Sequence, residues 1–199
     1  VVTLDADRAL SEARRRDEER ARGELRGPLH GLPVTVKDSF ETEGLLTTSG
    51  GSPELLSHVP KRDADLVARL KAAGAVVFGK TNLSTQAMDI QTYNAAFGTT
   101  NNPWDATKTA GGSSGGSAVA MSAGLSALEA GSDLGGSIRI PSSFCGVFGH
   151  RPSFGIVPTR GHIPGPPGTL AAPDLETAGP IARSADDLDL ALRLIAGPD

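Results

Sequence analysis

The sequence predicts an α/β fold, with a mixed or largely parallel sheet covered by helices. Three observations carry that expectation. Residues 63–73, DADLVARLKAA, are amphipathic, stop at Gly74 and run into the apolar strand candidate 75–78. Helix, turn and strand in that order give a parallel sheet its helical cover. A second short apolar run, 34–36, follows Pro33 and reads as a buried strand. A last helix is expected over 184–196: Ser184 caps it, Asp186 and Asp187 fill its first turn, and Leu188, Leu190, Leu192, Leu194 and Ile195 supply apolar positions. At 199 residues the chain suits one domain with a substantial core.

Taken in order, residues 1–24 form a charged N-terminal helix, over 4–22, with Thr3 or Asp5 as cap and Gly23 as stop. Its apolar face is thin, and RRRDEER reads as solvated surface. Residues 27–32 make a turn before the first strand. Lys37 ends that strand, where a lysine either snorkels to solvent or enters a pocket at the sheet edge. Residues 45–56 form an irregular loop. The strand over 75–78 ends at Gly79, and Asn82 caps a short turn or helix. The polar loop 93–104 either lines a pocket or packs as a surface turn, with Trp104 as core anchor or rim residue. Small residues over 117–123 suit a helix packed tightly on the sheet. A short strand follows over 125–130, with Glu129 out of place in it, and then a turn over 131–137. Residues 152–173, with Pro158, Pro164, Pro166 and Pro167, form a long loop.

Composition excludes several classes. There are 19 basic and 23 acidic residues for a net charge of -4, so nothing draws the chain to nucleic acid or to an anionic membrane. No apolar run reaches the roughly 18 residues of a membrane span. No basic segment followed by an apolar core and cleavage site opens the chain. These features fit a cytoplasmic protein. The lone Cys145, in SSFCGVFG, reads as a buried thiol and leaves no disulfide framework. His30, His58, His150 and His162 are scattered and suggest no metal site.

The richest stretch is 111–137, GGSSGGSAVAMSAGLSALEAGSDLGGS. It has the glycines of a phosphate loop but no GKS or GKT ending, and no GxGxxG fingerprint. The lipase-type GxSxG does not occur around Ser137, which lies in GGSIR. What remains is hydroxyl chemistry with a lysine. A serine needs a base to attack an acyl carbon. Lysine serves only when neutral, a state that burial favours. A second serine can relay the proton, and glycine-flanked amides can receive the oxyanion.

At this point the chain resembles the amidase signature family. The resemblance covers nearly all of it: GPLHGLPVTVKDSF, AGAVVFGKTNLS, the run GGSSGGS through GSDLGGSIRIPSSFCGVFGHRPS, and ETAGPIARSADDLDLALRLIAG. The resemblance implies an amide hydrolase with a Ser–cisSer–Lys triad and an acyl-enzyme. Ser137 matches the nucleophile, Ser113 the bridging serine after a cis bond from Gly112, and Lys37 the base. Leu134, Gly135, Gly136 and Ser137 match the oxyanion-hole turn. Ser114, Ser132, Asp133 and Arg139 match supporting positions. Leu134 departs from the family's GTDTGGS, where a threonine is usual. No cofactor is implied, and the implied partner is a small-molecule amide, with no nucleic acid and no membrane. Members of the family are longer, so residues 1–199 are expected to be the N-terminal portion of a single amidase domain, incomplete at the C-terminus. The partner expected is a missing C-terminal half, which would complete the sheet and much of the pocket, or a second copy of the chain as a homodimer, and the isolated chain is expected to be weakly active or inactive. Two alternatives stand beside the hydrolase: a glutamine amidotransferase subunit of the same family, needing partner subunits, and a non-catalytic amide-binding or assembly module.

Overall fold

The computed structural model describes residues 1–163 and 174–198. Its elements are β1 (Thr3–Leu4), α1 (Ala6–Ala21), β2 (Pro33–Lys37), α2 (Asp65–Ala72), β3 (Val76–Thr81), β4 (Tyr93–Asn94), β5 (Gly98–Thr99), α3 (Gly115–Ser122), β6 (Glu129–Asp133), α4 (Arg139–Cys145), β7 (Phe148–Gly149), β8 (Thr177–Ala182) and α5 (Ala185–Ile195).

The strands bear out a mixed sheet under helical cover. β2 runs parallel to β3, and β1 lies antiparallel on the far side of β3. β8 is the centre of a second group, antiparallel to both β6 and β7. The two groups meet at β2 and β6. There the Thr35 N–H donates to Ser126 Oγ at 2.9 Å, and Thr35 Oγ1 donates to the Glu129 carboxylate. α2 and α5 pack over this junction. Val34, Val36, Leu66, Val67, Leu70, Ala130, Ala178 and Ile195 share one buried core. Burial of apolar area of this kind is the main drive for the fold.

Several elements differ from the sequence reading, each for a physical reason. Asp5, not Thr3, caps α1 by accepting from the Arg8 N–H at 3.1 Å. RRRDEER is not all solvated. Arg16 and Glu19 are buried as an ion pair, Arg26 Nη2 lies 2.6 Å from Glu19, and His30 Nε2 meets the Arg16 carbonyl at 2.8 Å. Pairing lets these charges leave water at tolerable cost. α2 starts at Asp65, because the Asp63 carboxylate turns back to accept from the Glu43 N–H and Lys71 Nζ. β3 runs past Gly79 to Thr81, since Gly79 admits the Thr3 carbonyl of β1, which would lie 2.6 Å from a Cβ there.

The largest shift is at β6. The strand begins at Glu129, and Gly131, Ser132 and Asp133 are strand rather than turn, because each pairs with a residue of β8. Glu129 is tolerated inside because Thr35 and Thr81 donate to it. α4 was not expected; Pro141 falls in its first turn, where no backbone donor is needed. β8, TAGPIA, was not expected either. Asn82 caps no helix: its amide donates to Thr100 Oγ1 at 3.0 Å and its oxygen accepts from Asn94. Trp104 is a rim residue, 72% exposed, with Nε1 donating to the Cys145 carbonyl. Of the long loop 152–173, residues 164–173 lie outside the described residues. Among the described residues, no helix is long and apolar enough to cross a membrane.

Candidate active site

The parallel register of β2 on β3 carries Lys37 to the end of its strand, opposite Thr81. Its side chain does not snorkel. It is fully buried, and Nζ donates to Ser113 Oγ at 2.7 Å and to Ser132 Oγ at 2.9 Å. Burial pushes the ammonium down to about 7, against the pull of Glu176, Asp133 and Glu129. A lysine that would be charged in water is therefore poised to lose its proton near neutral pH.

Ser113 follows a cis peptide bond from Gly112 and leads into α3, with Ser114 at the helix cap. Close approach fixes this corner. A Cβ on Gly112 would meet the Gln91 backbone, and one on Gly116 would meet the backbone of Asn82. Thr92 Oγ1 ties the corner from below, donating to the Gly111 carbonyl and accepting from the Gly115 N–H at 3.0 Å.

Ser137 arrives from the other side, past β6. The Ser114 N–H donates to the Ser137 carbonyl at 3.1 Å, and Ser114 Oγ donates to the Ser132 carbonyl at 3.3 Å. Ser113 and Ser114 are buried, whereas Ser137 is half-buried. Ser137 Oγ makes no hydrogen bond among the described residues.

The turn before Ser137 is built on Asp133. Its carboxylate accepts from the N–H groups of Gly136 at 2.8 Å, Ile138 at 3.0 Å and Arg139 at 3.2 Å, and from the Arg139 guanidinium at 2.9 and 3.0 Å. Burial alone would raise the carboxyl; the Arg139 bond and the three amides outweigh it and hold it at about 2. The Gly136 N–H is spent inside the turn. Those of Leu134, Gly135 and Ser137 have no partner among the described residues. Leu134 itself is exposed.

Three features escaped the sequence reading. Arg151 joins Asp133 at 3.5 Å and donates to the Leu175 carbonyl. Lys80 is a second fully buried lysine, held by the Phe40 carbonyl, Thr42 and Thr47, and pushed down by burial to about 8. Its signal was present, because Lys80 follows the apolar run 75–78 after one glycine, much as Lys37 follows the run 34–36. The third is a buried pair, His162 and Glu176. Among the described residues, no three His, Cys, Asp or Glu side chains group to hold a metal ion.

The fold and this corner place the chain among proteins built on one architecture. A family model described as Amidase matches residues 1–199. A peptide amidase from Stenotrophomonas maltophilia superposes with a TM-score of 0.90 at 43% identity, covering 100% of this chain and 40% of that one. The glutamyl-tRNA(Gln) amidotransferase A subunit of Thermotoga maritima superposes with a TM-score of 0.80 at 42% identity, over 87% of this chain and 37% of that one. The corresponding amidotransferase protein of Alkaliphilus metalliredigens is 45% identical over 198 residues, 100% of this chain and 39% of the relative. The chain belongs to the amidase family, the amidase-signature proteins. It spans about two fifths of the length of such relatives, 39% of the Alkaliphilus protein.

Proposed function

We propose that this chain carries the catalytic residues of an enzyme that cleaves a carboxamide C–N bond through an acyl-enzyme. The observation that carries the reading is the 2.7 Å bond between Ser113 Oγ and a buried Lys37 poised near neutrality. Neutral Lys37 takes the Ser113 proton as Ser113 takes the Ser137 proton. Ser137 Oγ then bonds to the carbonyl carbon. The oxygen's negative charge is met by the amides of Leu134, Gly135 and Ser137, while Gly136 anchors the turn to Asp133. The relay returns a proton to the nitrogen, the C–N bond breaks, and ammonia or an amine leaves. Water then adds to the acyl carbon and frees Ser137 as the carboxylate departs.

The relatives favour glutamine as the amide. Proteins 45% and 42% identical to this chain are named as the A subunit of a glutamyl-tRNA(Gln) amidotransferase. On that reading the chain is part of a subunit that frees ammonia from glutamine within a larger assembly. The peptide amidase, 43% identical, supports a free-standing hydrolase as the second reading.

A fluorophosphonate reagent tests the chemistry. It should modify Ser137, located by peptide mass spectrometry, and the labelling should vanish in Lys37→Ala. Labelling that survives that change would overturn the mechanism. Ammonia release from glutamine but not from peptide C-terminal amides would favour the amidotransferase reading, and the reverse the hydrolase.

A further inference from the structure

A second set of ionisable groups lies behind Lys37, and the mechanism above does not use it. His162 and Glu176 are both buried, with His162 Nδ1 at 3.4 Å from Glu176 Oε1. Each connects to the lysine through neighbouring residues. The His162 ring packs on the Phe40 ring at 4.6 Å between centroids, the Phe40 N–H donates to the Lys37 carbonyl at 3.1 Å, and the Ile163 N–H donates to the Ser39 carbonyl at 2.7 Å. Glu176 immediately precedes Thr177, which pairs with Asp133, and the neighbouring Ser132 accepts from Lys37 Nζ.

The arrangement poses a charge problem. A buried carboxylate needs a compensating positive charge. Burial pushes the His162 imidazole down, toward its neutral form. Glu176 has no other ion-pair partner among the described residues. The other carboxyl groups around Lys37 are already engaged: Asp133 by Arg139 and Arg151, Glu129 by Thr35 and Thr81 with burial raising it to about 7, and Asp38 by Thr48 and Gly50, with Lys80 as its nearby cation.

We propose that the Glu176–His162 pair is the counter-charge for Lys37, stabilising the ammonium that forms when the lysine takes the Ser137 proton through Ser113. His162, packed on the Phe40 ring, orients the carboxylate without neutralising it. Glu176 is a positioning residue: it touches neither substrate nor the reacting atoms, and acts through the lysine. The inference rests on Lys37 being the base. Glu176 is the strongest of the carboxylates that pull the Lys37 ionisation upward, ahead of Asp133 and Glu129.

Two measurements test the pair separately from the reaction. In the unaltered protein, the carboxyl carbon-13 resonance of Glu176 should show a step at the pH where the Lys37 side-chain nitrogen resonance titrates, and no step there overturns the proposal without any substitution. In Glu176→Gln the Lys37 midpoint should fall by about one pH unit, and Glu176→Asp should restore most of it. The pH midpoint of Ser137 labelling should move down with it. A Lys37 midpoint unchanged in Glu176→Gln overturns the pair. If Lys37 and Glu176 titrate together while the unaltered protein shows no Ser137 labelling at any pH, the pair stands and the assigned mechanism falls.

Discussion

Lys37 Nζ lies 2.7 Å from Ser113 Oγ and 2.9 Å from Ser132 Oγ, with no water-facing surface. Two hydroxyls and no carboxylate meet the lysine directly. Such a setting solvates a neutral amine adequately and an ammonium poorly.

The pH dependence follows from that setting. With the folded lysine at about 7, protonation below that value blocks the base and deprotonation above it restores the base. Fluorophosphonate labelling of Ser137 should therefore rise with pH through about 7 and then level off. Removing the base in Lys37→Ala should cut the plateau rate at least about 10²-fold, which leaves no labelled Ser137 on the timescale that modifies the unaltered protein. A rate flat from pH 5 to 9 would contradict the assignment.

Asp133 predicts a stability effect. Its folded carboxyl sits at about 2, below the ordinary aspartate value of 3.8. A depressed carboxyl stabilises the fold above its unfolded pKa and loses that contribution as pH falls through the folded one. About 2 kcal/mol should thus be present at neutral pH and vanish between about pH 4 and pH 2. Urea unfolding of Asp133→Asn should show a deficit of that order at pH 7 that closes toward pH 2.

Gly116 tests close packing at the corner. A methyl there would press on both the N and O of Asn82, which are backbone atoms and cannot swing aside. Gly116→Ala should cost about 3 kcal/mol and lower Tm by roughly 6–12 °C for a domain of this size. Calorimetry against Gly124→Ala, where the methyl meets nothing within 4 Å but the backbone has φ +70, separates contact from backbone strain.

Cys145 should be inert. It is buried, its Sγ points to the Ala110 carbonyl at 3.5 Å, and burial pushes the thiol up to about 11. Iodoacetamide at pH 8 should leave it unmodified in the folded protein and alkylate it in urea, because the thiolate is the reactive form. Rapid native alkylation would show that the α4 segment opens.

Much of the candidate site was legible along the chain. Lys37 stood out as a charge closing an apolar strand, and Ser113 and Ser137 as hydroxyls among glycines. Helices α2 and α5 were legible as well, because their apolar periodicity and caps are local signals. β6 and β8 were not. Gly131 and Gly179 carry no strand propensity, and both strands exist because each supplies the other's hydrogen bonds from far along the chain, as in Asp133 with Thr177. α4 was hidden in a different way, with a proline in its first turn.

The sequence by itself determined the fold class, because helical periodicity is written in neighbouring residues, and its resemblance to the amidase-signature proteins supplied the family and the candidate side chains. Only the tertiary structure decided which groups surround the lysine. That Ser132 contacts Lys37 directly, that Asp133 takes up the Gly136 amide, and that Glu176 and His162 lie buried behind the base all depend on strands far apart in the chain meeting in register. Burial and charge compensation are properties of that meeting, and no single segment encodes them.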